Sequence, residues 1–340
     1  MIRIGIVGIG FMGRIHYLAA RNLKDAAVTA ICSRDPQKLA GDWSGTRGNF
    51  GPPPGKFELG DIKRYGRLDA MLKDPDVDMI DICNPTVQHE ATAIAALQAG
   101  KHVLVEKAIA LSADGADRML AAANAAGKLL MVAHVLPFFP EFAFAAETVH
   151  SGRFGKLLGG HFTRVISKPD WSAEIADAAA TGGPAVDLHI HDTHFIGLLG
   201  GVPKAVFSSG RVENGAVTYL STNYLYGPDG PAISCTSGAV AMKARPFVHG
   251  FEIYLEKATL VHESGTKPLT ILHANGNIEK PKLVGDDPVD AFTTEIQTAV
   301  NGVKSGKTPD VLSGQLARDA LVMCLRECES VKTETVTPMS

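Results

Sequence analysis

The sequence predicts an α/β fold in two parts: an N-terminal doubly wound parallel sheet, and a C-terminal α+β domain with a large, mostly antiparallel open sheet. Three observations predict it. Over residues 1–134 short β-branched runs alternate strictly with helical patterns, and such alternation buries a parallel sheet between two helix layers. From residue 135 onward, extended segments follow one another across short turns of Gly, Pro, Asn or Asp, as antiparallel connections require. The chain has 340 residues, natural for two domains of roughly 100–200 residues each. The division is therefore placed at 1–134 and 135–340, with the last helix free to pack back on the first part.

The elements follow in order. Ile2–Val7 reads as a strand and Met12–Asn22 as a helix; Ala27–Cys32 is a second strand, and Pro36–Trp43 opens a helix on a first-turn proline. Residues 44–60 are rich in glycine and contain Pro52, Pro53 and Pro54, so they read as a surface loop holding no core. Leu68–Leu72 is a short helix, Met79–Cys83 a buried strand, His89–Ala99 a helix and Val103–Val105 a strand. Ser112 caps a helix to Ala126, and Leu129–Val132 is the last strand of the first part. In the second part a helix near Glu141–Ser151 precedes strands near Leu157–Ile166, Ala205–Val212, Val217–Tyr224, Ala232–Ala244, Gly250–Glu256 and Thr259–His262. A helix near Pro184–Leu199 interrupts them, and helices at Pro288–Ser305 and Leu312–Val331 follow.

Composition excludes several classes of function. The net charge of -3 offers no basic field for nucleic acid or an acidic membrane. No apolar run reaches membrane-spanning length. MIRIGIVGIG enters a strand directly, without the apolar region of a signal peptide. Cys32, Cys83, Cys235, Cys324 and Cys328 form no CxxC and read as reduced thiols of a cytoplasmic protein.

Gly8, Gly10 and Gly13 form GxGxxG between the first strand and the first helix. Gly8 permits a tight turn, Gly10 lets backbone approach a pyrophosphate, and Gly13 lets helix pack on strand; the helix N-terminus faces the phosphates. The motif's placement, after a strand and opening a helix, makes this a dinucleotide site of the Rossmann type, with Ile9, Phe11 and Met12 in the same turn. At the end of the second strand, Ser33 stands where an NAD-specific domain usually carries an acid, and Arg34 follows. Serine does not repel a 2′-phosphate and arginine can pair with one, which tilts the cofactor, NADP or NAD, towards NADP. Asp35, one residue later, leaves NAD open.

Several segments together resemble the Gfo/Idh/MocA oxidoreductase family across essentially the whole chain. Asp81 to His89 (DICNPTVQH) resembles the family's strand followed by x-P-x-x-x-H beside the cofactor. His102 to Ala108 (HVLVEKA) resembles its strand followed by E-K-P; Gly182 to Asp192 (GGPAVDLHIHD) resembles G-G-x-x-x-D-x-x-x-H-D; Ser305 to Pro309 resembles its C-terminal turn. The resemblance implies a Rossmann domain, a C-terminal sheet domain with an active site between them, and a homodimer or homotetramer through the exposed sheet face. It implies cofactor contacts at Asn84, Pro85, Thr86, His89, Glu106 and Lys107. Two positions depart from the pattern: Ala108 replaces the proline after the lysine, and His194 stands where an Asp is common.

Alcohol oxidation removes a hydride from carbon and a proton from oxygen, so the protein must supply a base. His191 is the expected base, because imidazole titrates near neutrality. Asp187, four residues earlier, shares a helical face with it if the segment is helical, and Lys107 at a strand end can stabilise negative charge on the reacting oxygen. His134, Asp170, Trp171 and His194 are further pocket candidates for substrate. His189, His191 and His194 invite a metal reading, but the acid, Asp192, is one place early for the HxHxDH pattern and no second cluster follows; no metal is expected. The expected function is an NAD(P)-dependent oxidoreductase acting on a sugar, inositol or related polyol, or the corresponding ketone. The alternatives are a glycoside hydrolase that oxidises its substrate transiently with bound NAD, and a dinucleotide-binding sensor without catalysis.

Overall fold

A computed structural model describes residues 1–168, 177–285 and 287–340. Two compact units emerge: Met1–Phe138 with Gly285–Arg318, and Phe139–Val284 with Asp319–Ser340.

The first unit holds a six-stranded parallel sheet: β1 (Ile2–Val7), β2 (Ala26–Cys32), β3 (Lys63–Tyr65), β4 (Met79–Ile82), β5 (His102–Glu106) and β6 (Leu130–Ala133), in the order β3-β2-β1-β4-β5-β6. Ile4, Ile6, Ile80, Ile82, Val103, Val105 and Val132 are fully buried or nearly so, because helices cover both faces of such a sheet. The edge strand β3 is absent from the sequence reading; its residues, Lys63, Arg64 and Tyr65, are polar or part-exposed and carry no apolar run. The strand order reverses between β1 and β4, which is where ligands bind in doubly wound sheets.

The sequence division differs from the observed one at residues 285–318. The helix Pro288–Ser305 lies against the first helix, Phe11–Ala20: Thr293 Oγ1 donates to Ala19 O at 3.3 Å, and the Phe292 ring sits 5.9 Å from that of His16. Its apolar stripe (Val289, Phe292, Ile296, Val300) is buried there.

Residues 44–60 also differ from expectation. Trp43 is buried, with the rings of Tyr17 and Phe57 at 4.7 and 4.6 Å. Phe50 meets Phe11 edge-on at 4.8 Å and stacks on Phe292 at 5.5 Å. Arg14 donates to Pro52 O at 2.6 Å. Glycine and proline gave this segment the composition of a surface loop, but Phe50 and Phe57 fasten it to the first helix, and Leu59 is buried.

The second unit holds a nine-stranded sheet: β7 (Leu157–Ser167), β8 (Ala205–Glu213), β9 (Ala216–Leu225), β10 (Ala232–Ala241), β11 (Val248–Leu255), β12 (Ala258–Glu263), β13 (Lys267–His273), β14 (Ile278–Glu279) and β15 (Thr337–Pro338). Their order is β14-β13-β12-β11-β7-β10-β9-β8-β15, antiparallel apart from the β7–β10 pair. Register sorts its faces. Val206, Tyr224, Ile233, Gly160, Ile253, Leu260 and Ile271 form one row across seven strands, and all are buried. One residue along each strand, Leu225, Tyr254 and Leu272 fall on the opposite face and are exposed. Phe142, on the helix Pro140–His150, fills the covered side against Phe195 and Phe251, both at 5.1 Å.

Candidate active site

Each glycine of the turn has its own reason. Gly8 has φ +92, and a Cβ there would lie 2.7 Å from Asn84 N. A Cβ on Gly13 would lie 2.0 Å from Gly8 O, so only glycine lets the helix start this close to β1. A Cβ on Gly10 would meet nothing within 4 Å. Protein packing therefore does not require glycine at position 10. The approach of a ligand does, and Gly10 caps the first helix without any side-chain hydrogen bond, leaving its first N–H groups for an anion. The turn fits the pyrophosphate of a dinucleotide.

The other predicted cofactor residues of this unit gather at the neighbouring strand ends. Asn84, directly after β4, donates from Nδ2 to Thr92 Oγ1 at 2.9 Å, and its backbone closes on Gly8. Pro85 and Thr86 lead into a short 3₁₀ turn. His89 is buried with Nδ1 2.8 Å from Ala108 O and Nε2 2.9 Å from Asn84 O. Burial lowers its pKa against those carbonyls, and the ring sits between the loops that follow β4 and β5. Glu106 ends β5 and accepts the Lys107 N–H on Oε2 at 3.1 Å. The Lys107–Ala108 peptide bond is cis, with Ala108 at the position of the expected proline. At the end of β2, Ser33 Oγ accepts the Asp35 N–H at 3.2 Å, and the Asp35 carboxylate caps the next helix through Gln37 N at 2.9 Å. Arg34 is exposed. His134 follows β6 and is fully buried.

In the second unit, Gly182 (φ +81) and Gly183 (φ +75) lead into a single helical turn, Pro184–Asp187. Leu188 and His189 then intervene before the helix Ile190–Gly200. The expected continuous helix is thus broken between Asp187 and His191, although the intervening residues keep right-handed backbone angles. Asp187 and His191 are both part-exposed, whereas His189, Asp192 and His194 are buried. The three histidines therefore do not present one ligand set. His189 Nε2 lies 2.6 Å from Glu327 Oε2, with Tyr224 Oη at 3.3 Å. Burial would lower the His189 pKa, but the Glu327 carboxylate raises it. Arg164 on β7 holds Asp192 with two hydrogen bonds, at 2.7 and 3.0 Å. Asp170 and Trp171 lie outside the described residues.

Sequence reasoning missed a buried cluster behind the glycine turn. His16, on the first helix, faces Asp81 through Nδ1 at 2.9 and 3.0 Å and Glu106 Oε1 through Nε2 at 2.9 Å. The one available signal was its place three residues after Gly13.

Residues 2–134 match the family model described as "Oxidoreductase family, NAD-binding Rossmann fold". Over 98% of this chain and 99% of the relative, the sequence is 26% identical to a myo-inositol 2-dehydrogenase of Thermotoga maritima. It is 27% identical to the scyllo-inositol 2-dehydrogenase (NAD(+)) of Bacillus subtilis, over 91% of this chain and 88% of that one. A levoglucosan dehydrogenase solved in complex with NADH superposes with a TM-score of 0.84 at 18% identity, covering 100% of this chain and 99% of its own. The fold and the glycine turn define an NAD-binding, Rossmann-type oxidoreductase, a dehydrogenase acting on alcohol groups. More particularly, residues 2–134 match the Gfo/Idh/MocA family model. No helix among the described residues is long and apolar enough to cross a membrane.

Proposed function

We propose that this protein oxidises a ring hydroxyl of a sugar, inositol or related polyol, or reduces the matching ketone. The observation that carries the reading is the convergence of Gly8, Gly10, Gly13, Asn84 and Lys107 on the carboxyl ends of adjacent strands, with a vacant side-chain position at Gly10. The inositol dehydrogenases among its relatives support the substrate class. The bound nicotinamide supplies the hydride acceptor. His191 takes the hydroxyl proton, Asp187 orients the alcohol or stabilises the imidazolium, and the Lys107 ammonium stabilises negative charge on the same oxygen. His191 is the part-exposed histidine of its segment, which is what a base that must meet substrate requires; the buried His189 and His194 are not so placed.

The decisive experiment is a panel of sugars, polyols and glycosides with cofactor absorbance followed for NAD and NADP. Turnover on a free polyol supports the reading; glycoside cleavage without net turnover sinks it. His191→Ala is expected to lose about 10²–10⁴ in rate and keep dinucleotide affinity. Should His194→Ala abolish turnover while His191→Ala leaves it nearly intact, the base has been misassigned. Arg34 being exposed and Asp35 being engaged as a helix cap support a preference for NADP. Arg34→Ala should weaken NADP about 10- to 100-fold, from about 1.5–3 kcal/mol for a charged hydrogen bond, and NAD much less. The exposed sheet residues Phe207, Leu225, Tyr254 and Leu272 support assembly of copies of this chain through that face; a solution mass of one chain at micromolar concentration would count against it.

A further inference from the structure

Apart from Glu106, the buried cluster in the first unit has no part in the roles assigned so far. His16 is wholly buried between two carboxylates. Both Asp81 oxygens lie on its Nδ1 side, and Glu106 Oε1 lies on its Nε2 side at ion-pair distance, with an angle outside that of a hydrogen bond. Cys83 Sγ stands 3.5 Å from the same Nδ1. Glu295, on the helix Pro288–Ser305, completes the surroundings; it is fully buried, and neither carboxyl oxygen has a hydrogen-bond partner among the described residues. The other oxygen of Glu106 accepts the Lys107 N–H. The contacts therefore run in one line from β4 through the first helix to the backbone of Lys107.

We propose that the line Asp81–His16–Glu106 positions Lys107, with the doubly protonated His16 ring as a charged strut between the dinucleotide-turn helix and the end of β5. A neutral imidazole has one N–H and satisfies only one of its two carboxylate neighbours. The imidazolium hydrogen-bonds Asp81 and pairs its charge with Glu106, and leaving a buried carboxylate unpaired is costly. Burial opposes the charge, but Asp81, then Cys83, carry the His16 pKa well above its ordinary value. Glu295 competes little for the imidazolium, because burial pushes its own pKa well up; the His16 charge opposes that rise, and Glu106 and Asp81 reinforce it. His16 is thus a positioning residue. It touches neither substrate nor the reacting atoms.

The inference rests on the reading that Lys107 serves the reacting oxygen, so three measurements are combined. The imidazole signal of His16, assigned by its loss in His16→Gln, is followed by NMR in the unmodified protein. It should report a protonated ring at about pH 8, above the ordinary histidine range; a neutral ring at pH 7 overturns the proposal, whatever any variant does. Asp81→Asn keeps the shape and removes the charge. It should lower kcat by up to about 100-fold, as a misplaced reacting group does, leave dinucleotide Kd unchanged, and bring the alkaline fall of the kcat profile down towards neutrality. A drop in kcat with an unmoved profile marks a merely structural role and overturns the proposal, as does an unchanged kcat. If Asp81→Asn does not fold, His16→Gln takes its place with loss of kcat and kept dinucleotide Kd as the required result. Lys107→Met, run alongside, separates the two readings: full turnover there refutes the lysine's role, whereas an inactive Lys107→Met beside a normal Asp81→Asn refutes the strut alone.

Discussion

Each unit buries an ionic cluster beside a residue assigned to the chemistry, and the two clusters are built differently. In the second unit the charges match: Glu327 faces His189, and Arg164 grips Asp192, so two acids meet two bases on either side of His191. In the first unit Asp81, Glu106 and Glu295 surround the single base His16. A matched cluster pairs each acid with one base and locks a segment in place. An acid-rich cluster sets three acids around one imidazole, so its integrity depends more steeply on pH.

The sharpest break of that contrast is Arg164→Met. It leaves Asp192 buried without its cation, and losing one partner of a buried pair costs about 3–5 kcal/mol. Urea unfolding at pH 7 should show a loss of that size; one below 1 kcal/mol would mean that water or another group repays Asp192. The next effect is alkaline. The folded pKa values of His16 and His189 are both raised, so their contribution to stability is complete below the unfolded histidine value of about 6.5 and is lost as pH rises through the folded values. Unfolding free energy should decline as pH rises above that point, and Asp81→Asn should flatten the decline. The smallest effect belongs to Glu295→Gln. If the carboxyl is already neutral, an amide of the same shape changes stability by roughly 1 kcal/mol or less and leaves the His16 titration where it was. A large loss, measured by the same unfolding assay, would show Glu295 to be ionised.

The sequence made local features legible and concealed those that depend on distant partners. Gly8, Gly10 and Gly13 act through their own backbone and immediate neighbours, so the motif could be read in one dimension. The strands of the sheets were legible wherever burial imposed an apolar run, and β3 was missed where it imposed none. His16 looked like one more helix residue, because its meaning lies in Asp81 and Glu106, 65 and 90 positions away. Residues 44–60 misled for the opposite reason: their glycines and prolines dominate the composition, while Phe50, Phe57 and Leu59 do the packing. Asp187 and His191 are part-exposed and His189 and His194 buried, and the Leu188–His189 break in the helix left no mark that periodicity reveals.

The helix Pro288–Ser305 has a consequence for how the protein is made. The first unit is discontinuous in the chain, and the helix that covers His16 and Ala19 is encoded about 150 residues after β6. At a synthesis rate of about 5–20 residues per second, a ribosome exposes the N-terminal sheet for roughly 8–30 seconds before its closing helix has been made. During that interval the nascent unit carries an uncovered apolar flank and an imidazole without its full set of neighbours, and a fragment cut at residue 134 would remain in that unfinished condition.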